Sequence, residues 1–289
     1  MNGYDIVISV GTKDCIIVKK TIKHIDKNIQ YDTIYILTDI RNQIFFGQRF
    51  RNKYKVEILD ENKTIPGLNF SEVKKMMLHH FGGNVKIYGW YFQQFLKMGF
   101  SLTPYAKGKY LIWDADTFPL RKLNFIEDDN IIFTPKKEYH KPYFDTMNRL
   151  LGIEKSVDFS YIAEHMMIEV SIMKELISEI QKASICGSIW FEKTINSVEK
   201  SQANGFSEFE TYGTFCHLKH PFLYIPKEII TFREAGKIYG RFITNGEIKK
   251  LKDKYDTASF EMNHMPPFPK SILHWCSKIF LKIIISFRG

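Results

Sequence analysis

The segment Tyr110-Leu-Ile-Trp-Asp114-Ala-Asp116-Thr-Phe-Pro-Leu120 limits the fold more than any other stretch of the chain. Four bulky residues in a row read as a strand buried on both faces, the kind found inside an α/β sheet covered by helices. The run passes directly into two carboxylates spaced two apart, and Pro119 is expected to end the strand. Carboxylates fixed at the exposed end of a buried strand are hard oxygen donors on a rigid support. They suit Mg²⁺ or Mn²⁺ arriving with a diphosphate. An Asp-x-Asp pair alone is a weak pattern, and an Asp at a strand end also serves ordinary turns, so the surrounding chain has to carry the reading.

That chain has 289 residues, 44% of them hydrophobic and 15% aromatic, enough for a substantial core. No run approaches the ~20 apolar residues of a spanning helix, and Tyr4–Val10 enters as a strand with no signal-peptide layout. A cytoplasmic protein is expected. Cys15, Cys186, Cys216 and Cys276 are scattered, with no Cys-x-x-Cys pair, so neither a disulfide framework nor a thiolate zinc site is indicated. The net charge of +9 is uneven: residues 215–289 hold 13 Lys/Arg against 6 acids. Such a cluster points to an anionic surface. With 33 Lys and only 8 Arg, it argues against the bidentate base reading typical of nucleic-acid binders.

The opening sixty residues read β-α-β-α-β, with strands at Asp5–Val10, Thr33–Leu37 and Lys55–Leu59. Strands alternating with helices imply a mostly parallel sheet with ligands at the carboxyl ends of its strands. Gly11, Thr12, Asp14 and Asp39 fall at such ends. A short helix is expected near Glu72–His80 and a longer one over Lys86–Leu102, where Trp90, Tyr91, Phe95, Met98 and Leu102 form a core stripe. Gln94 and Lys97 on that helix are candidates to face a cleft. Further strands are expected at Asn130–Thr134 and Tyr161–Ile168, with helices over Ser171–Lys182 and Ile189–Glu199.

In this order the residues resemble a metal-dependent GT-A glycosyltransferase. More narrowly, Gly89-Trp-Tyr-Phe-Gln-Gln-Phe-Leu-Lys97, the Asp114/Asp116 strand, Ala163-Glu-His165-Met and Ser207-Glu-Phe-Glu-Thr-Tyr-Gly213 resemble a bacterial glycosyltransferase-like family of capsule and lipopolysaccharide gene clusters. The resemblance covers about residues 3–230. It implies a GT-A, Rossmann-like, mostly parallel sheet flanked by helices: a catalytic domain over 1–235, nucleotide-binding to about 120 and acceptor-binding beyond, with a basic extension over 236–289. It further implies transfer of a sugar from a nucleotide-diphosphate sugar to a hydroxyl of a surface-glycan acceptor, with Mn²⁺ or Mg²⁺ held by Asp114 and Asp116. Gly11, Thr12, Asp14, Asp39, Gln94, Lys97 and Asp114 would then serve the donor. His217, His220 or His264 would supply a further ligand, and Glu208, Glu210 and His165 are the candidates for acid–base work. A nucleotidyltransferase and a non-catalytic glycan-assembly protein are the alternatives.

From Ile272, apolar residues recur at helical spacing: Trp275, Cys276, Ile279, Phe280, Ile283, Ile284 and Phe287 share one face. An amphipathic helix over 270–288 fits the interface of an anionic membrane on its cytoplasmic side, where a lipid-linked glycan acceptor would also lie.

Overall fold

The computed structural model describes residues 3–83 and 85–286. The chain forms two compact units that interleave in sequence. Unit 1 comprises Met1–Ile58, Trp113–Asn124 and Glu228–Gly289, and unit 2 comprises Leu59–Ile112 and Phe125–Lys227.

Unit 1 opens with β1 (Asp5–Ser9), α1 (Val18–Asn28), β2 (Ile34–Thr38), α2 (Gln48–Tyr54) and β3 (Val56–Asp60). β1 and β2 run parallel, from Ile6 opposite Ile34 to Ser9 opposite Leu37, and every residue of both is buried. That double burial is why each reads as an unbroken apolar run. α1 buries Val18, Ile22 and Ile25, one stripe at i, i+4 and i+7. It starts at Val18 because Thr12–Asp14 first wind a 3₁₀ turn. α2 is the second helix of the expected β-α-β-α-β opening. With β4 (Lys109–Trp113) and β8 (His165–Glu169), the strand order is β3-β2-β1-β4-β8, a parallel-rich α/β sheet of the GT-A type.

Pro119 is the last strand residue, as expected, but the strand is not continuous up to it. The strand breaks at Asp114–Asp116 and resumes as β5 (Thr117–Pro119). β5 pairs antiparallel with β11 (Thr257–Ser259), itself parallel to β10 (Thr231–Phe232), in the order β10-β11-β5. β5 is an edge strand, where a residue without an N–H is tolerated. The remaining helices of unit 1 are α9 (Ala235–Tyr239), α10 (Asn245–Lys252) and α11 (Lys270–Ser286). A reciprocal Thr244–Glu247 capping box starts α10. Ala235, Ile243, Leu251 and Phe260 close around Phe118 and Leu120, so chain beyond residue 235 builds part of this unit's core. On α11, Ile272, Leu273, Trp275, Cys276 and Ile279 are exposed while His274 is buried. Phe287, expected on the same face, lies outside the described residues.

His24 of α1 stacks on Phe118 with ring centroids 4.9 Å apart and planes 8° from parallel. Burial, followed by the charge of Lys27, holds its pKa down at about 4, with Lys252 and Lys20 adding to the effect. The unfolded imidazole titrates near 6.5. The unfolded chain therefore binds more protons between the two values, and stability is lost as pH falls from 6.5 toward 4. Melting temperature should drop through that window, and His24→Gln should show a shallower drop, by the equivalent of about 1 kcal/mol per pH unit.

Unit 2 contains α3 (Phe70–Phe81), α4 (Tyr88–Gly99), β4, β6 (Ile126–Glu127), β7 (Asn130–Phe133), α5 (Lys141–Leu151), β8, α6 (Val170–Lys182), α7 (Trp190–Ser197), α8 (Glu208–Lys219) and β9 (Tyr224–Pro226). β7 lies between antiparallel β6 and parallel β9. Of the expected stripe, Tyr91, Phe95 and Met98 are buried in the core, whereas Trp90 and Leu102 are exposed at 36% and 40%. Tyr161–Glu164, expected within a strand, is irregular, and β8 begins at His165.

α8 is buried on every side from Glu208 to Cys216, which leaves it no amphipathic signature. Gly213 permits this. A Cβ there would stand 2.2 Å from Cγ of Tyr161, whose ring is fully enclosed. Gly213→Ala should cost about 2 kcal/mol net, since the ~1 kcal/mol helix preference for Ala does not offset the overlap. Trimming the ring in Gly213→Ala/Tyr161→Ala should give a loss well below the sum of the two single losses in denaturant melts.

Cys15, Cys186, Cys216 and Cys276 are all free thiols. Among the described residues no helix is long and apolar enough to cross a membrane.

Candidate functional site

The Asp114–Asp116 turn of unit 1 is fixed from several directions. Thr21 Oγ1 of α1 donates to the Ala115 carbonyl at 2.6 Å, and Phe260 N donates to the Asp116 carbonyl at 2.9 Å. Thr117 N donates to the Asp114 carbonyl at 3.2 Å, and Trp113 Nε1 closes the turn onto the Thr117 carbonyl at 2.7 Å. Below it, Thr117 Oγ1 meets Ser259 Oγ at 2.8 Å. The backbone of the acidic pair is thus locked while its carboxylates remain for other work.

Those carboxylates belong to a larger acidic cluster. Burial raises the Asp116 pKa to about 7, and the negative charges of Asp14, Asp114 and Glu261 push the same way, opposed by Arg241. Asp14 is itself buried and paired: Arg241 Nη2 donates to its Oδ1 at 2.7 Å, with both side chains 10% exposed or less. Arg241 Nη1 donates to the Lys13 carbonyl at 3.0 Å. One guanidinium therefore compensates Asp14, and the pocket keeps an excess of negative charge. His264 lies at the same end of unit 1. It is buried beside Gly236, its Nε2 is 4.0 Å from Glu261 Oε1, and its Nδ1 has no hydrogen-bond partner.

Two further donor candidates are in unit 1. Gly11 precedes the Thr12–Asp14 turn, and its carbonyl accepts from Asp14 N at 2.8 Å. Asp39 caps the 3₁₀ helix Ile40–Phe45, accepting from Arg41 N at 2.9 Å and from Arg41 Nη2 at 2.7 Å. Arg241 and Glu261 were missed by sequence reading. Nothing in their local sequence marks them; only β11 and the turns around it bring them to the acidic pair.

In unit 2 the candidates gather at the start of α8. Gln94 Oε1 accepts from Glu208 N at 3.0 Å, and Lys97 Nζ forms a 2.9 Å ion pair with Glu208 Oε1. Lys97 also lies over the Phe209 ring, 4.7 Å from its centroid. Ser207 caps the helix by accepting from Glu210 N at 3.3 Å. Glu210 Oε2 accepts from Ser160 Oγ at 2.6 Å and from Tyr161 N at 3.2 Å, while its buried Oε1 has no partner. Burial raises the Glu210 pKa, although the Ser160 and Tyr161 donors work against the shift. His165 sits between Phe125, at a 5.0 Å ring separation, and Thr134 Oγ1, 3.0 Å from its Nε2. Burial, aided by Lys136, holds its pKa down at about 3, so the ring is neutral near pH 7. His217 is exposed on α8, and His220 Nε2 contacts Glu175 Oε2 at 2.8 Å.

Among the described residues no three His, Cys, Asp or Glu side chains stand in metal-ligand geometry. The donor types do fit a hard divalent ion. Asp114 and Asp116 offer oxygen donors and His264 an imidazole Nδ1 without a partner, and the excess negative charge around Asp116 is what a cation would relieve.

A search of the solved structures matches the chain to an active-site mutant of LgtC at a TM-score of 0.50 and 10% identity, over 98% of this chain and 95% of that one. LgtC with donor and acceptor sugar analogues, named there as a galactosyltransferase, matches at 0.48 and 10%, again over 98% and 95%. Mouse xyloside xylosyltransferase 1 without ligand matches at 0.49 and 10%, over 91% and 99%. The first of these identifies a shared GT-A fold. No curated protein matches the chain. A family model described as a family of unknown function, DUF6492, matches residues 6–228, and the chain belongs to that family.

Proposed function

We propose that the chain is a metal-dependent glycosyltransferase that moves a sugar from a nucleotide-diphosphate donor to a hydroxyl of a bacterial surface glycan. The observation that carries this reading is the acidic cluster of Asp14, Asp114, Asp116 and Glu261 at the exposed end of a buried GT-A strand, with Asp116 pushed up to about 7. Asp114 and Asp116 would hold a Mn²⁺ or Mg²⁺ ion, and the unpartnered Nδ1 favours His264 among the three histidines as the source of a further ligand. The ion's contribution there is to offset the charge that develops on the departing nucleoside diphosphate. The turn bonds from Thr21 and Phe260 keep the two carboxylates in place, so no reorganisation is needed as that charge appears. Gly11, Thr12 and Asp39 lie at the carboxyl ends of β1 and β2, where a nucleotide binds in open α/β sheets.

For the acceptor hydroxyl, Glu210 is the better base of the two candidates. Glu208 is neutralised by Lys97, whereas Glu210 keeps a bare oxygen and a raised pKa. Its bonds to Ser160 and Tyr161 would fix the orientation of that oxygen. Gln94 and Lys97 then act through the start of α8. His165, neutral between Phe125 and Thr134, supports the wall. The exposed apolar residues of α11 favour a peripheral place on the inner face of the plasma membrane and a lipid-linked acceptor.

Purified protein with UDP-, GDP- and dTDP-sugars, Mn²⁺ and an acceptor extract should release nucleoside diphosphate from one donor class, and EDTA should stop it. Release of pyrophosphate from sugar phosphate and nucleoside triphosphate would instead establish the nucleotidyltransferase. Absence of turnover with every donor would support the non-catalytic alternative.

A further inference from the structure

Unit 1 has a second pocket whose chemistry the transfer reading does not use. It is a small cavity of about 40 Å³ that opens to solvent where α1 begins. Three cations line it: Lys13, Lys20 and Arg241. The rest of its wall is mostly apolar, with Ile16, Phe242 and Met262 beside them. No carboxylate lines it among the described residues.

Two of the cations are incompletely hydrogen-bonded. Arg241 is 7% exposed and spends Nη2 on Asp14 and Nη1 on the Lys13 carbonyl, but its buried Nε has no acceptor. Among the described residues Lys20 reaches the Arg241 carbonyl, at 3.5 Å, and lies 5.9 Å from the centroid of the Phe242 ring. Burial and the neighbouring Lys23 lower the Lys20 pKa, as crowding with other cations requires. A buried guanidinium N–H without a partner is costly, and an anion with several acceptor oxygens would satisfy it.

The surroundings say what the anion is attached to. Ile16 and Phe242 are 42% and 39% exposed at the pocket, and Ser277 of α11 forms part of its wall. α11 carries Ile272, Leu273, Trp275 and Ile279 exposed on its surface. A free inorganic anion has no use for this apolar border; an acyl or isoprenyl chain does.

We infer that this pocket binds the phosphate head of a single lipid, with Lys13, Lys20 and Arg241 on the phosphate and the chain running out over Phe242 and the apolar side of α11. The inference does not rest on sugar transfer. It requires only that the chain meets a phosphate-headed amphiphile, and it gives the expected membrane association a defined, saturable site in place of a diffuse basic surface.

The test is calorimetric titration of the full chain with dodecyl phosphate below its micelle concentration, alongside inorganic phosphate and dodecyl maltoside. One dodecyl phosphate should bind per chain, at least tenfold more tightly than either comparison compound. Lys20→Glu and Phe242→Asp, both half-exposed positions, should each weaken it at least tenfold while melting like the native protein. Flotation with phosphatidylglycerol vesicles should fall in the same two variants if the lipid is a membrane phospholipid. If flotation is unaffected while dodecyl phosphate binding falls, the pocket takes a dispersed lipid phosphate instead. Equal affinity for inorganic phosphate, or unchanged dodecyl phosphate binding in both variants, would overturn the inference. So would displacement by a nucleoside diphosphate with Mn²⁺ that Asp116→Asn abolishes, because the pocket would then belong to the donor. Mn²⁺-dependent donor binding should be unchanged in Lys20→Glu, which separates failure here from failure of the transfer reading.

Discussion

Asp116→Asn is expected to lower metal-dependent sugar transfer at least about 100-fold, the scale on which removal of one charge-stabilising group acts in an active site. The substitution keeps the shape and the turn. Phe260 bonds the Asp116 backbone carbonyl, not its carboxylate, so the loop geometry does not depend on the charge. What the variant removes is one negative charge from a cluster that already holds Asp14, Asp114 and Glu261. In the absence of metal the variant should therefore melt at the same temperature as the native protein or higher, since like charges no longer repel. Loss of activity together with undiminished stability is the signature of a ligand-holding carboxylate. A variant that lost activity because it lost its fold would melt lower, and parallel melting curves separate the two.

Arg241→Met should be the most destabilising single change near this cluster. It removes the only cation within hydrogen-bond distance of Asp14 among the described pairs, at 2.7 Å, and both side chains are almost fully enclosed. Breaking a buried pair by deleting one partner costs about 3–5 kcal/mol, because the surviving charge stays buried without compensation. At about 2–4 °C per kcal/mol for a chain of this size, the melting temperature should fall by roughly 6–20 °C. Asp14→Asn/Arg241→Met should recover most of that loss, since no charge is then stranded. Recovery of none of it would mean that Arg241 stabilises the unit through its bond to the Lys13 carbonyl and not through Asp14.

The strands that position this cluster were legible because burial on both faces leaves a plain mark: β1, β2 and β4 read as continuous apolar runs. α1 and α6 were legible as helices following buried strands, and the Asp114–Asp116 turn from its position at the end of such a run. α8 was visible only at its start, through Ser207 and Glu208, because a helix enclosed on all sides has no periodic face. What had no local signal is that Pro119 closes a separate edge strand, β5, which pairs with β11 more than 130 residues later. The same long-range pairing delivers Glu261 and His264 to the acidic cluster, with Arg241 on the chain just ahead of it. Lys97 was read as a partner for diphosphate, and in the fold it meets Glu208, 111 residues away. Neither pairing has a local signal, because the partners are neighbours only after the chain has folded.

The central claim is that Asp116 links metal to a nucleotide-sugar. Its most direct test is a melting panel of native protein and Asp116→Asn against UDP-, GDP-, CMP- and dTDP-sugars, with and without Mn²⁺ or Mg²⁺. A stabilisation that requires both the metal and one nucleotide class, about 2.7 kcal/mol at a hundredfold excess over Kd, and that vanishes in Asp116→Asn, is the predicted result. Stabilisation by a nucleotide-sugar that needs no metal and persists in Asp116→Asn would contradict it, as would no shift with any pair.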